Sequence, residues 1–365
     1  MYKKDDWRNL IRTVTFRKPI HFDKLRYHCS NIFNLLAFLT PLKSRYKKKC
    51  LSLLSDREIY RQVLDRINYY NKKNKNFPLI EQVISNDAWD IIPSKNGHQT
   101  LITRRNKVFF ADIQRAYWYD FLAILLFFPR KTVTAYTMGD VTFIPSVPSV
   151  VKSRPIQADN SNSVLLKLNS TRHFNFIDDP YLFKNKKSLL VWRGNAVQQH
   201  RKDFLRQHFS NILCDVAQVS SPSEYAYADC LTIQQQLAFK FILCIEGNDV
   251  ATNLKWVMSS NSICVMPKPK YETWFMEGVL QPGVHYIEIA DDYSDLDDKI
   301  RYYTEHADEA LKIIKNAHQH VALFKNKEIE DLISILVMEK YYRLSGQLNT
   351  DYQREFSSHH GEDNA

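Results

Sequence analysis

The fold of this chain is decided by the stretch FKFILCIEGNDVATNLKWVMSSNSICVMP, residues 239–267. Residues 239–245 form an apolar run of strand length, and a polar loop, 246–249, follows it. The apolar residues Val250, Leu254 and Val257 then have the spacing of one helix face. A second apolar run, 262–266, is stopped by a proline. The pattern predicts a strand–loop–helix–strand unit, which builds a parallel sheet.

The loop after the first strand of such a unit is normally directed at a ligand. Backbone N–H groups at the start of the following helix favour anions. The pattern therefore predicts a phosphorylated ligand, for example a nucleotide. A helix-capped structural turn explains the same residues equally well, so both interpretations stay open at this point.

Length and composition indicate a globular protein with room for two domains. The chain has 365 residues, of which 44% are hydrophobic and 13% aromatic. Its six cysteines are scattered, without a CxxC pair or a disulfide-like framework, which favours a reducing compartment. No apolar core of a signal peptide follows the N-terminus, and the apolar runs 32–42 and 117–129 are shorter than the roughly 20 residues that span a membrane. We expect a cytoplasmic protein that is soluble or peripheral to a membrane.

The positive charge is concentrated at the N-terminus. Residues 1–50 contain 13 lysines and arginines against three aspartates, which accounts for the net charge of +10 of the whole chain. A basic face beside a short apolar run suits an anionic inner-membrane surface. It equally suits nucleic acid or acidic substrates, and a solvated helical face explains it as well.

The chain divides most naturally near residue 186. The first part, 1–186, is predicted as an N-terminal domain with a basic helical start. From 187 to 325 strands and helices alternate, with helices expected over 296–305 and 307–323, which predicts a doubly wound, Rossmann-like α/β domain. Residues 326–348 are predicted to form a C-terminal helix, and 349–365 a disordered tail.

Two further stretches could carry chemistry. In Trp192-Arg193-Gly194 a strand ends at a glycine that permits close approach of a ligand, and Arg201 follows early in a predicted helix. An arginine there can bind phosphate oxygens, although most helix-surface arginines are simply solvated. Asp140 follows a glycine between strand-like segments, where a turn or cap role is the ordinary interpretation.

One motif matches a pattern found in metal-dependent transferases. Asp295-Leu296-Asp297 matches the Asp-x-Asp pattern of such enzymes. Ser294 lies three residues before Asp297 and just ahead of a helical run, so a capping box is the preferred interpretation. The histidines and cysteines show no metal-ligand spacing.

Taken together, these stretches resemble glycosyltransferase family 90. The resemblance rests on the WRG motif followed by Arg201, on EGNDVATNLKW at 246–256, and on SICVMP…WF…LQPGVHYIEIADDYSDL at 262–296. The family includes protein O-glucosyltransferases, capsule-associated proteins and bacterial lipopolysaccharide-core glycosyltransferases. The stretches VKSRPI (151–156) and TRHFNF (171–176) resemble the bacterial branch.

The resemblance implies a GT-B fold, in which two Rossmann-like domains face a central cleft and the N-terminal domain, 1–186, binds the acceptor. It implies a UDP-sugar donor substrate and inversion at the anomeric carbon, with no metal or other cofactor. Asp140 falls near the position of the family's catalytic base. The donor-binding residues that it implies are Trp192, Arg193, Gly194, Asn195, Arg201, Gly247, Asn248, Asp249, Val250, Ala251, Thr252, Asn253 and Lys255.

Two departures from the family pattern concern the donor phosphates. Eukaryotic members have Ser-Arg after WRG, where this chain has Asn195-Ala196, and an arginine where it has Asn253. Phosphate binding is therefore expected to depend on Arg201, Lys255 and the backbone N–H groups of the loop.

The remaining predictions concern the acceptor and the sugar. Lys152, Arg154 and Arg172 are basic enough to hold an anionic acceptor, although solvated loop cations explain them equally well. Glu272 and Glu277, which flank Trp274-Phe275, are candidates for binding ribose or sugar hydroxyls.

The sequence thus predicts an inverting, metal-independent transferase that moves glucose or galactose from a UDP-sugar to a lipopolysaccharide inner-core acceptor. It would work at the cytoplasmic face of the inner membrane. A transferase acting on a capsule or protein acceptor is the alternative within enzymes. A non-catalytic glycan-binding relative and a basic nucleic-acid-binding protein are the alternatives from other classes. The last is disfavoured because no nucleic-acid-binding motif is present and the charge lies apart from the motif-bearing half.

Overall fold

The structure is a computed structural model that describes residues 57–77, 90–93, 99–104, 115–129, 132–219 and 227–348. The basic N-terminal segment and the tail 349–365, with the predictions made for them, lie outside these residues. In the described part, no helix is both long enough and apolar enough to cross a membrane.

The described residues form twelve strands, numbered in chain order. They are β1 (Asp90–Pro93), β2 (Gln99–Arg104), β3 (Val133–Thr137), β4 (Ser149–Val151), β5 (Ser153–Pro155), β6 (Ser163–Leu165), β7 (Lys187–Gly194), β8 (Cys214–Gln218), β9 (Phe239–Leu243), β10 (Ile263–Met266), β11 (Tyr271–Thr273) and β12 (Ile287–Glu288).

The α-helices of the described residues are numbered in the same way. They are α1 (Arg57–Tyr70), α2 (Arg115–Leu125), α3 (Ser170–His173), α4 (Gln199–His208), α5 (Ile233–Gln236), α6 (Leu254–Met258), α7 (Leu296–Glu305), α8 (Ala307–Ala322) and α9 (Lys327–Leu344). Short 3-10 turns cover Phe183–Asn185 and Glu277–Val279.

Two five-stranded sheets organise the molecule. The first has the order β1-β2-β3-β4-β6, with antiparallel pairing up to β3 and parallel pairing beyond it. The second has the order β12-β10-β9-β7-β8 and is parallel throughout. The protein is therefore a mixed α/β protein with parallel sheets, as the sequence predicts. Strands β9 and β10 of the second sheet are buried along most of their length, as parallel strands covered on both faces should be.

A two-stranded ribbon joins the two parts of the chain. In it β5 pairs antiparallel with β11, and Arg154 lies opposite Glu272. Arg154 Nε donates to Glu272 Oε1 at 2.7 Å, and its other nitrogens donate to the carbonyl oxygens of Tyr69, Tyr70 and Ser163. The ribbon therefore closes around a fully buried arginine.

The last helix, α9, returns to the first sheet. The Tyr341 hydroxyl donates to the carbonyl of Pro148, and the Tyr342 hydroxyl lies 2.6 Å from that of Thr134. Near the start of the helix, Glu330 pairs with Arg66 of α1 at 2.6 Å and accepts a hydrogen bond from the Trp274 indole. One hydrophobic core therefore extends from the first sheet, past α9, to one face of the second sheet.

Several predicted elements match the structure closely. Helix α7 has the predicted bounds, α8 ends one residue before the predicted 323, and α9 lies within the predicted 326–348. The helix predicted over 250–258 is shorter, because it begins only at Leu254. Asn253 precedes it and donates its side-chain amide to the carbonyl of Leu243, which fixes a turn where the periodicity suggested helix.

The capping-box interpretation of the Asp-x-Asp motif is wrong. The residue before α7 is Asp295, and its side chain makes no capping hydrogen bond there. Ser294 donates instead to Asp292, while Asp297 accepts a hydrogen bond from Asn211 at 2.6 Å. A competing local turn at Asp292 therefore takes the serine away from the helix start.

Candidate active site

A carboxylate from the first half of the chain faces the loop that follows β9. Asp140 comes after β3, and its Oδ2 accepts a hydrogen bond from the side-chain amide of Asn248 at 3.2 Å. Lys152 Nζ lies 2.7 Å from Asp140 Oδ1 and 2.6 Å from Asp249 Oδ2. The side chain of Asp140 is 34% exposed and that of Lys152 only 3%. The two halves thus meet at an accessible carboxylate held by a buried lysine.

The two aspartates of this cluster have pKa values shifted in opposite directions. Burial alone would raise the pKa of Asp140, but the Lys152 ammonium and the Asn248 amide outweigh it, so the pKa lies below its usual value. Burial raises the pKa of Asp249 despite the same lysine, and the neighbouring Asp140 charge raises it further. Asp140 is therefore ionised at neutral pH, and of the two aspartates it is the one that remains open to a ligand.

Arg201 holds the two loops that the sequence assigns to the donor. Its guanidinium donates to the carbonyl oxygens of Asn195, Ile245 and Glu246, each at 2.9 Å. A Cβ added to Gly247 would lie 3.2 Å from Arg201 Nη2, so the loop passes close to the guanidinium. Arg201 positions the loops here, and its contact with phosphate stays a prediction.

A cavity of about 230 Å³ opens at the carboxyl ends of β9 and β10. Several predicted donor residues line it, namely Gly247, Asn248, Val250 and Ala251, together with Glu277. The ends of parallel strands are the usual ligand position in open α/β sheets. The volume is below the roughly 300–1,000 Å³ of sites for drug-sized ligands, so it suits part of a ligand, such as one nucleoside.

Glu246 lines this cavity and was not among the predicted contacts. Its Oε1 accepts hydrogen bonds from the backbone N–H groups of Lys270 and Tyr271, at 3.1 and 3.2 Å. Burial raises the pKa of Glu246 to about 7, although those two hydrogen bonds act in the opposite direction. The sequence signal is its place directly after a buried strand, ahead of the GNDV loop.

The other residues that sequence reasoning missed lie beside the same loop. His200 lines the cavity, and its Nε2 lies 2.8 Å from the Glu246 carbonyl oxygen. Gln198 donates its side-chain amide to Asn248 Oδ1 at 2.9 Å. Both precede Arg201 by no more than three residues, so their position beside the predicted arginine was the available signal.

Other predicted donor residues lie beneath the site or beside it. Trp192 is buried in the core of the second sheet, and a Cβ on Gly194 would collide with its ring. Arg193 pairs with Asp215 at 2.5 Å. Asn195 is exposed, and Thr252 is half-buried. The glycine of the WRG motif is therefore required for packing against the tryptophan.

Lys255 and Glu277 form a buried pair under the loop. Lys255 Nζ lies 2.6 Å from Glu277 Oε1, and both side chains are almost fully buried. Glu277 also accepts hydrogen bonds from the backbone and hydroxyl of Thr273. Glu277 lines the cavity, whereas Lys255 is not among the lining residues.

The three predicted acceptor cations do not lie together. Lys152 belongs to the Asp140 cluster, Arg154 is enclosed in the ribbon with Glu272, and Arg172 is exposed. The charge of Arg172 still reaches Asp140 and lowers the pKa of that carboxylate. Glu272 also accepts a hydrogen bond from the Tyr69 hydroxyl, which keeps it away from the cavity.

Metal-binding geometry is absent from the described residues. Within the ranges given above, no group of three or more His, Cys, Asp and Glu side chains is arranged to hold a metal ion.

Comparison with known proteins defines the class. Residues 175–351 match the profile of glycosyl transferase family 90. Over 231 residues the chain is 47% identical to the O-glucosyltransferase LpsA of Dichelobacter nodosus. The aligned stretch covers 63% of this chain and 73% of that protein. The protein is a glycosyltransferase. More narrowly, the chain belongs to glycosyl transferase family 90.

A weaker similarity extends to two large viral proteins. The chain is 29% identical over 113 residues to the uncharacterized protein 035R of Invertebrate iridescent virus 3, covering 30% of this chain and 10% of that protein. It is 27% identical over 105 residues to the uncharacterized protein 179R of Invertebrate iridescent virus 6, covering 27% and 9%. Neither name adds to the function.

Proposed function

We propose that this protein transfers a hexose from a UDP-sugar to a lipopolysaccharide inner-core sugar, with inversion and without a metal. The observation that carries the proposal is the contact between Asp140 and Asn248, which brings a carboxylate of the first half to the loop beside the cavity. Glucose is favoured over galactose because the relative from Dichelobacter nodosus is named an O-glucosyltransferase.

In the proposed reaction Asp140 is the general base. Its carboxylate takes the proton of the acceptor hydroxyl as that oxygen attacks the anomeric carbon. The bond from the anomeric carbon to the diphosphate breaks, and UDP leaves with the electron pair. The lowered pKa of Asp140 keeps the carboxylate ionised, and a single carboxylate suffices if positive charge stabilises the leaving diphosphate.

The donor is proposed to lie along the second sheet. Its nucleoside would occupy the cavity, where Glu246 can accept hydrogen bonds from ribose hydroxyls. Its diphosphate would lie along the loop 247–253, close to the positive charge of Arg201. Helix α6 has only five residues, so the backbone N–H groups of the loop are expected to contribute more than the helix dipole.

The arrangement supports a GT-B architecture, with domains at 1–186 and 187–325 and the cleft between them. Both loops of the site follow strands that belong to sheets with parallel pairing, β3 in the first and β9 in the second. The proposal further places the protein in the cytoplasm, peripheral to the inner membrane where the lipopolysaccharide core is built.

The donor is tested by thermal unfolding with UDP, UDP-glucose and UDP-galactose, followed by transfer to lipopolysaccharide inner-core oligosaccharide. We expect UDP and one UDP-sugar to raise the melting temperature. We also expect transfer to survive a chelator and to give the inverted anomer. No shift with any of the three compounds would refute the donor, and transfer only to a capsule or protein acceptor would refute the acceptor.

The base is tested by Asp140→Asn. Transfer should fall by about 10²–10⁴-fold, the usual contribution of a positioned base. The melting shift with UDP should persist, because the cavity is unchanged. Asp203→Asn is the matched control, since Asp203 is an exposed aspartate paired with Arg206 on α4. Unchanged turnover in Asp140→Asn would remove this residue as the base.

A further inference from the structure

Two side-chain amides connect the start of helix α4 to the proposed base. Gln198 donates its amide to Asn248 Oδ1 at 2.9 Å, and Asn248 donates its own amide to Asp140 Oδ2 at 3.2 Å. Both distances are those of ordinary hydrogen bonds. Gln198 and Asn248 belong to the second half of the chain and Asp140 to the first. We call the connection Gln198–Asn248–Asp140 the amide relay, and it holds the base from across the contact between the halves.

The charge of Asp140 fixes the direction of both hydrogen bonds. An ionised carboxylate only accepts, so Asn248 has to turn its NH2 group towards Asp140 and its oxygen towards Gln198. Gln198 then has to supply an NH2 group, and its own oxygen has no partner among the described residues. A single orientation of the two amides therefore serves the ionised base.

Gln198 occupies a position at which a side chain normally caps a helix. It directly precedes α4, and its carbonyl oxygen accepts the backbone N–H groups of Arg201 and Lys202, both at 3.2 Å. Short polar residues are preferred there because their side chains accept from the first N–H groups of the helix. The side chain of Gln198 makes no such bond and reaches Asn248 instead. The helix thus lacks a side-chain cap while the relay is formed.

The two oxygens of Asp140 are held by different groups. Lys152 is buried and bound to Oδ1 at 2.7 Å, whereas Asn248 is the hydrogen-bond donor to Oδ2 within the described part of the chain. The described charged or titratable groups that interact with this carboxylate are Lys152, Arg172, Asp249 and Tyr117. The orientation of Oδ2 therefore depends on the relay.

We propose that Gln198 is a positioning residue for the catalytic base. Through Asn248 it holds Asp140 Oδ2 in the orientation in which the carboxylate takes the proton of the acceptor hydroxyl. This inference rests on the proposed function, in which Asp140 is the base. Gln198 is not among the residues that line the cavity, so its loss should impair proton transfer and leave donor binding unchanged.

The test is Gln198→Ser, in which stability and activity should respond differently. A serine can cap α4, so the melting temperature without ligand should not fall. Its side chain is too short to replace the glutamine amide, so the relay is lost. The kcat should then fall about two- to tenfold, which is what one hydrogen bond contributes. The melting shift with UDP and the KM for the donor should keep their wild-type values.

Two further measurements separate positioning from a structural role. The Asn248 amide lowers the pKa of Asp140, so its displacement in Gln198→Ser should move the acidic limb of kcat/KM against pH upward. In a double-mutant cycle with Asn248→Ala, Gln198→Ser should cause no further loss of kcat, because its effect passes through Asn248.

Gln199→Ser is the matched control. Gln199 is the next residue and has the same side chain, but its amide donates to Asp203 on the same helix. Its variant should keep the wild-type kcat and acidic limb. A wild-type kcat in Gln198→Ser, or an equal loss from this change with and without Asn248→Ala, would overturn the inference. Turnover retained by Asp140→Asn would instead refute the base, and a wild-type protein that no UDP compound shifts would refute the donor.

Discussion

Lys152 and Arg154 are two residues apart, and each is a buried cation paired with acidic residues. Lys152 bridges Asp140 and Asp249, and the side chain of Asp140 is 34% exposed. Arg154 pairs with Glu272, and neither side chain is more than 2% exposed. A pair of a cation and a carboxylate is thus part of an open site in one cluster and a buried structural contact in the other. Access to solvent distinguishes the two clusters, and residue type does not.

The largest effect is expected from breaking the enclosed pair. Glu272→Gln leaves the Arg154 charge buried without its counter-ion, so the free energy of unfolding should fall by about 3–5 kcal/mol. Urea unfolding measures this loss, and kcat per folded molecule should change little. Arg206→Gln, which breaks a surface ion pair, is the control and should change stability only slightly. A fully stable but inactive Glu272→Gln would place the Arg154–Glu272 pair in the active site.

The open cluster should respond in its pH dependence. Lys152→Met removes the ammonium that lowers the pKa of Asp140, so that pKa should rise. The base then stays protonated to a higher pH, and the acidic limb of kcat/KM against pH should move upward. Lys186→Met removes another buried lysine, paired with Asp179, and should destabilise the protein without moving that limb. An unmoved limb in Lys152→Met would mean that Lys152 does not tune the base.

Glu246 extends the comparison to a carboxylate held by backbone N–H groups. Its pKa is about 7 in the folded protein and about 4.5 when unfolded, so the folded state binds more protons between these values. Wild-type stability should therefore decline as pH rises from about 4.5 to 7, by up to about 3.4 kcal/mol. Glu246→Gln should lack this decline, so its melting temperature relative to the wild type should be higher at pH 8 than at pH 5. Parallel pH dependence in both proteins would contradict the raised pKa.

Local patterns were enough to predict much of the fold. Apolar periodicity located α7 and α9, and the 239–267 stretch predicted two parallel strands and the loop between them. The same patterns could not separate Lys152 from Arg154. Alternation along a strand would put both on one face, but β4 ends before Lys152 and β5 leaves the first sheet to pair with β11. That change of partner depends on residues more than a hundred positions away.

The candidate site also combines features that local patterns predict with features that only tertiary packing decides. The Asp140 loop and the GNDV loop were recognised as separate stretches, and their meeting through Asn248 follows from the tertiary arrangement of two sheets. Patterns identify which loops can bind, and packing decides which of their side chains remain available.

The return of α9 to the first sheet has a consequence for how the chain folds during synthesis. Tyr341 and Tyr342 cover β3 and β4, so the first half lacks part of its core until the ribosome has synthesised more than 340 residues. The core of the N-terminal half therefore stays incomplete until α9 is synthesised, after all strands of the second sheet. A chain shortened before α9 should expose apolar surface on its first half and aggregate, even though every residue of the proposed active site is present.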